Sequence, residues 1–571
     1  MSERFDLVIR GGTILDGAGR NGFFGDVAIT ASRVAAVGMH LGEGVEEIDA
    51  TGLLVMPGFV DIHTHYDGQA TWAGQLTPSS HHGVTTVVTG NCGVGFAPCR
   101  REDQDRLVDL MAGVEDIPEI VMAEGLSWAW ESFPEYLDAV AARPHDMDIA
   151  AMAPHAAIRL YAMGAGALAH RPASREEVGH MTALMREAMA AGAIGLGTSR
   201  ALQHRGLGGD TIPSVAADEQ ELLCLLGAVA DGGGVFQVNA NMGDALVAER
   251  EFEMLRRLCK ATGVPTTFSL FQKHRDPEGW RCALRLAEDA WSQGLAIRPQ
   301  VMGRPTGVLL GHQLSRTPFD DCPAHALIAQ LPLAEKVIAL LSPDVRRAIL
   351  REAIGGDQQR YRYIFELKTE IDHEPSPRES VAAIAEQSGH APAELAYEIL
   401  LQDGGQAVLL EAIQNYADGS LSAPAEMMKS DCALLGLADG GAHYGLICDA
   451  SYPTTMLAHW TRDRTRGPLF SLADMVRRLT SANAEAVGLR DRGRLETGFR
   501  ADINVIDYRN LRLHRPQVVY DLPAGGRRII QRADGYIATI VGGRVTYRNG
   551  ASTGQLPGRL VRGPRPRPAM I

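Results

Sequence analysis

Apolar and polar positions change their period three times along the chain. From Phe5 onward, short alternating runs (Phe5–Ile9, Thr13–Leu15, Asp26–Ile29, Arg33–Val37) are separated by glycine, the period-two pattern of half-buried strands. After Met56-Pro57-Gly58, β-branched apolar runs alternate with amphipathic helical stretches, as in parallel β/α units. Eight runs carry this rhythm: Gly58–His63, Val84–Thr89, Asp148–Ala153, Ala193–Thr198, Val235–Asn239, Pro265–Leu270, Leu295–Val301 and Ala433–Ala438. The count predicts an α/β fold, a (β/α)8 TIM-like barrel over residues 58–489. Residues 302–431 break the rhythm with helical segments at Pro332–Leu341, Pro343–Ala353, Val381–Glu386 and Pro392–Leu401, a helical insertion placed to act as a lid or substrate-selecting subdomain, or else as packing decoration or an oligomer contact. A helix is predicted over Ser471–Leu489, and strands return at Ala501–Asp507 and Tyr536–Val545. Residues 1–57 and 490–553 are expected to join as one small composite β-sandwich domain.

Composition narrows the function classes. The 571 residues are 45% hydrophobic, and 55 basic against 69 acidic residues give a net charge of −14 without charge blocks, which argues against nucleic acid as a partner. No apolar run approaches the roughly 20 residues that cross a bilayer, and the start lacks a basic-then-apolar leader, so a cytoplasmic protein with a small-molecule substrate and no membrane partner is expected. A homo-oligomer is compatible with this composition. The eight cysteines form no C-x-x-C pair, so buried reduced thiols are the default. The tail, residues 554–571, is rich in Arg and Pro and reads as disordered, or else as an arm on a neighbouring subunit.

Chemistry concentrates at strand ends. In Asp61-Ile62-His63-Thr64-His65 the two histidines are two apart, so both imidazoles leave the same side of the first strand and converge at the barrel mouth. Two buried neutral nitrogens at one point suit a divalent cation, with zinc favoured. Asp439 follows the apolar run of the eighth strand, next to the first in a closed barrel, and is therefore expected to be a ligand and the catalytic general base. His155, ending the third strand, and His443, four residues after Asp439, are candidate substrate-binding residues.

The motifs Met56 to His65, Gly83 to Gly93 (ending Gly90-Asn91-Cys92-Gly93), Gly192 to Ser199, Ala438-Asp439-Gly440 and Gly498 to Asp502 together resemble the amidohydrolase superfamily, D-aminoacylase (N-acyl-D-amino-acid deacylase) group. The resemblance spans nearly the whole chain. It implies hydrolysis of the amide of an N-acyl amino acid, and it makes Cys92 a zinc ligand.

Departures from the pattern are equally specific. Where the family carries zinc histidines on the fifth and sixth strands, this chain has Asn239 and Leu270, so one ion held by His63, His65, Cys92 and Asp439 is expected instead of two. Where the family binds the substrate carboxylate with lysine and tyrosine, this chain has Gln272 and Gln300, neutral groups. Asn239 and Gln272 therefore join the substrate-binding candidates, and His274 is a candidate replacement ligand. The substrate is left open between an acyl amino acid and a cyclic amide or lactam, and a barrel that lost catalysis and serves as a scaffold is the rival of another class.

Overall fold

The computed structural model describes residues 4–569. The N-terminal strands and the strands after the barrel form one nine-stranded sheet, in the order Ala551–Ser552, Arg544–Arg548, Tyr536–Val541, Ile503–Ile506, Leu54–Pro57, Phe5–Ile14, Phe23–Thr30 and Arg33–Gly38, with Gly44–Asp49 also on Phe5–Ile14. The two ends of the sequence meet where Ile503–Ile506 runs antiparallel to Leu54–Pro57, Val505 opposite Val55. The register of Phe5–Ile14 shifts between Ile9 and Gly12; its first half pairs with Gly44–Asp49 and its second with Leu54–Pro57. The apolar positions read from the period-two runs, among them Leu7, Ile9, Val27, Ile29, Val505 and Ile540, make this sheet's core.

The barrel strands lie where the apolar runs predict them, though several are shorter. They are Phe59–Asp61, Val84–Thr89, Asp148–Ala151, Gly195–Ser199, Val235–Asn239, Thr266–Ser269, Ile297–Val301 and Leu434–Leu435. The third breaks at Met152: its first part pairs with the second strand, while Ala153–Pro154 pairs with the fourth. Closure between first and eighth comes from a parallel bridge of Thr64 with Gly440, where His65 N donates to Gly440 O at 2.8 Å. Helices Arg175–Ala191, Glu219–Asp231, Ala245–Thr262 and Trp280–Ser292 cover the outside, and Ser174, Asp218 and Asp244 each cap an N-terminus through a side-chain oxygen. No helix among the described residues is long and apolar enough to cross a membrane.

Two expectations are corrected here. The insertion is not purely helical. Leu409–Gln414 is the centre of a three-stranded antiparallel sheet with Thr306–Leu310 and Ile364–Glu366, and helices pack on it around Leu310, Phe319, Ile364 and Tyr397. These strands are too short for their alternation to stand out between helical runs. The tail is also ordered on its own barrel. Val561 N donates to Ile149 O at 2.7 Å, Gly563 N to Gly192 O and Arg565 N to Gly488 O at 2.8 Å each, and Leu560 and Val561 are buried. Proline and arginine forbid helix but not an extended strap that uses backbone partners. Removing residues 558–571 deletes the buried Leu560 and Val561 and forfeits their burial, about 1.5–3 kcal/mol each. A denaturant midpoint lowered accordingly is expected, and an unchanged one would show that the strap contributes nothing.

A buried ion network joins the β domain to the barrel floor. Asp148 begins the third strand, and its carboxylate accepts from Arg492 and Arg500, each at 2.8 Å, and from the Arg559 backbone N–H at 3.0 Å. The side chains of Asp148, Arg492 and Arg500 are buried, and that of Arg559 is exposed.

Candidate metal centre at the barrel mouth

Three loops bring the donors together. Just past the first strand, Asp61 Oδ1 accepts from His63 N at 3.2 Å, and the rings of His63 and His65 stand 5.5 Å apart. Gln300 on the seventh strand gives its amide N–H to Thr267, leaving Oε1 to accept the His63 Nδ1 proton at 2.8 Å, so the lone pair of Nε2 faces the mouth. Cys92 sits in the turn Asn91–Gly93 after the second strand, its backbone N–H on Gln237 Oε1 and its Sγ 3.5 Å from His63 Nε2. Asp439 Oδ1 lies 3.5 Å from both His63 Nε2 and His65 Nε2.

Backbone strain collects at the same place. Cys92, Asp439 and His443 have φ of 54°, 48° and 52°, left-handed conformations that cost an L-residue about 1–2 kcal/mol. Gly441, at φ +87°, must be glycine, because a Cβ there would meet the His65 carbonyl at 2.9 Å. The chain bends sharply after Leu435 to turn the carboxylate of Asp439 onto the histidines.

Protonation follows from burial and neighbours. Burial pushes His63 down to about 4 and the Cys92 thiol up to about 11. Burial also disfavours an ionised Asp439, yet the hydrogen bond from His65 and the nearby imidazoles hold its carboxyl far below the usual carboxylate range. Against the same desolvation, Glu115 and Asp439 raise His65 well above the ordinary histidine value. Donors about 2.0–2.3 Å from one tetrahedral zinc lie about 3.3–3.7 Å from each other. The His63–Cys92, His63–Asp439 and His65–Asp439 separations, all 3.5 Å, match those edges, and His63, His65 and Cys92 form one compact buried donor group. His65 Nδ1 is buried without a partner. The residues fit a divalent cation.

Glu115 escaped the sequence reading. It ends the helix Gln104–Glu115, is buried, and sets Oε2 3.4 Å from His65 Nε2 and 3.6 Å from His443 Nε2. A glutamate closing a polar helix has the signature of a solvated face, and only the left-handed Asp116 after it, φ 50°, marks the position as unusual. His443 reaches the centre too, with Nε2 3.8 Å from Asp439 Oδ2.

Other candidates have different partners. Asn239 Nδ2 lies 3.6 Å from Cys92 Sγ and 3.1 Å from His204 Nε2, bringing in a loop histidine that sequence reasoning did not single out. Expected to face substrate, His155 instead commits Nδ1 to Thr198 and Nε2 to Glu221, which also pairs with Arg159. Gln272 is likewise corrected: it donates to Asp418 and Pro277 O and accepts from Ala417 N, pinning the insertion's return to the barrel. His274 stacks on Tyr363 with ring centroids 4.1 Å apart, and Leu270 is buried.

Comparison with known proteins matches residues 46–547 to the Amidohydrolase family. The chain belongs to that family. This amidohydrolase is 28% identical to the D-aminoacylase of Alcaligenes xylosoxydans xylosoxydans, over 98% of each chain. It shares its fold with a D-aminoacylase structure concerned with a binuclear metal centre, "one-metal activation and second-metal attenuation", at 23% identity and TM-score 0.67 over 98% of this chain and 100% of that one. A second structure of the same fold is an N-acyl-D-glutamate deacylase from Bordetella bronchiseptica, complexed with zinc and a phosphonate mimic of the tetrahedral intermediate, at 22% identity, TM-score 0.67 and the same coverage. The resemblance to the D-aminoacylase group and the barrel with its extra β domain both stand. The scaffold reading gives way to a hydrolase of carbon–nitrogen bonds other than peptide bonds.

Proposed function

We propose that this amidohydrolase cleaves the amide of an N-acyl amino acid with a divalent cation, zinc first among candidates, held by His63, His65, Cys92 and Asp439. The observation that carries this is the compact buried group of His63, His65 and Cys92, with the partly exposed Asp439 carboxylate 3.5 Å from both imidazoles. When bound, such a cation supplies Lewis acidity to a carbonyl and makes water a better nucleophile at neutral pH. The protein's own residues handle the protons. Asp439, kept ionised, accepts the proton of the attacking water as the C–O bond forms. It then returns that proton to the nitrogen as the C–N bond breaks, so the leaving amine departs neutral. Gln300 holds His63 in the tautomer that offers Nε2 to the centre.

A second substrate reading has a specific basis. Gln272 and Gln300 are both committed to protein partners, and neither supplies the charge an acid's carboxylate prefers. That favours a neutral cyclic amide. Amine or ring-opened product from N-acyl-D-amino acids, their L-isomers and five- or six-membered cyclic amides would choose between them.

His63→Ala and Cys92→Ser are expected to lose bound zinc and at least about a hundredfold of activity, since each removes one of the few protein ligands. Elemental analysis of purified protein checks this. Protein free of metal as isolated, and inert after addition of zinc, cobalt or manganese, would sink the proposal.

A further inference from the structure

The fifth barrel strand carries two side chains that grip Cys92. Gln237 and Asn239 are two residues apart on Val235–Asn239, so both leave the same face of the strand. Gln237 Oε1 accepts the Cys92 backbone N–H at 2.9 Å, and Asn239 Nδ2 lies 3.6 Å from Cys92 Sγ, within reach of an N–H···S hydrogen bond. The turn that presents the sulfur is pressed against the fourth strand: a Cβ on Gly93 would meet Thr198 Cα at 2.7 Å. Cys92 therefore has little freedom to move away from either partner.

The amide of Asn239 has one useful orientation. A thiolate accepts hydrogen bonds and gives none, so the nitrogen, not Oδ1, must face the sulfur. The same nitrogen lies 3.1 Å from His204 Nε2 and has a second proton to give it. Desolvation keeps the His204 ring neutral, which leaves Nε2 able to accept. The loop that carries this ring is fixed to the fifth strand. Arg200 N donates to Asn239 O at 2.7 Å, and the loop closes on itself where His204 N donates to Ala201 O and Ile212 N to His204 O, at 3.1 Å each. An imidazole from one loop thus sets the amide that faces the sulfur of another.

We infer that Asn239 is a positioning residue for the centre, its amide held by His204 and donating to the Cys92 sulfur that binds the cation. A hydrogen bond to a ligating thiolate withdraws charge from the sulfur, so a bound cation keeps more of its own charge for the carbonyl and the attacking water. Where the resemblance expects a ligand on the fifth strand, this chain has a donor that acts on a ligand instead. The inference rests on the reading of Cys92 as a ligand of that cation.

The test reads the sulfur directly. Full-length protein loaded with cobalt is expected to show a thiolate-to-metal absorption band. Asn239→Leu keeps the size of the side chain but has no N–H. Its band is expected at lower energy, with cobalt still bound and kcat lowered about tenfold, the lower end of what partners of metal ligands contribute. His204→Ala removes the acceptor without touching the sulfur and is expected to shift the band the same way by less. His204→Gln, whose side-chain oxygen accepts the same proton, is expected to restore it. A band at the wild-type energy in cobalt-loaded Asn239→Leu overturns the inference. Should that variant take up no cobalt, the His204 pair decides: an unmoved band in His204→Ala, or one in His204→Gln no closer to wild type, overturns it equally. A cobalt-loaded wild type without the band overturns the reading of Cys92 as a ligand, and the inference with it.

Discussion

Asp439→Asn is expected to lower kcat by about 10²- to 10⁴-fold, the range a positioned general base contributes, while zinc remains bound. The substitution keeps the shape of the side chain and one oxygen facing His63 and His65, but a neutral amide cannot take a proton from water. The neighbouring imidazoles favour the ionised carboxyl over its desolvation, and a charged base is what the asparagine removes. The variant therefore separates proton transfer from metal binding, which His63→Ala cannot do. Steady-state rates and zinc content measured on one preparation decide the matter. Undiminished kcat in metal-loaded Asp439→Asn would assign the base elsewhere, and Glu115 is the nearest other buried carboxylate touching His65.

Asp148→Asn is expected to cost about 3–5 kcal/mol of stability with no direct effect on the centre, because it removes the charge that two buried guanidinium groups share and leaves Arg492 only Asp491 and Arg500 only Asp502. Arg492 and Arg500 each donate to that carboxylate at 2.8 Å, and the side chains of all three are at most 4% exposed. The network lies at the amino-terminal end of the strands, the face of such barrels associated with stability, whereas the histidines lie at the other end. Urea unfolding should show a lowered midpoint while kcat of the folded fraction is retained. A midpoint equal to wild type would mean that the arginines find water or another carboxylate, with Asp502 the nearest on Arg500.

What the sequence disclosed about the site follows from how directly position encodes geometry. His63 and His65 were legible because strand alternation fixes both on one side, and Asp439 because first and last strands are neighbours in any closed barrel. Cys92 carried no such signal; a lone buried thiol looks like core until a family motif marks it. Glu115 belongs to a helix whose burial depends on a loop more than 300 residues away in the sequence, so no local pattern could expose it. His155 misled because a strand end predicts where a side chain starts, not which partners have already claimed its nitrogens. In the fold, long-period features were legible and short ones were not: the barrel's β/α rhythm stood out, while the small sheet of the insertion and the backbone-bonded strap did not.

The seam between Leu54–Pro57 and Ile503–Ile506 has a consequence for how the molecule is made. A ribosome adding about 5–20 residues per second needs roughly 20–100 s between finishing one side of that seam and finishing the other. Throughout that interval the N-terminal half-sheet presents Leu54–Pro57 as an open edge, and Asp148 waits for Arg492, Arg500 and Arg559. Nascent chains stalled before residue 503 should therefore engage strand-capturing chaperones and aggregate when released, while chains released at full length close the edge themselves.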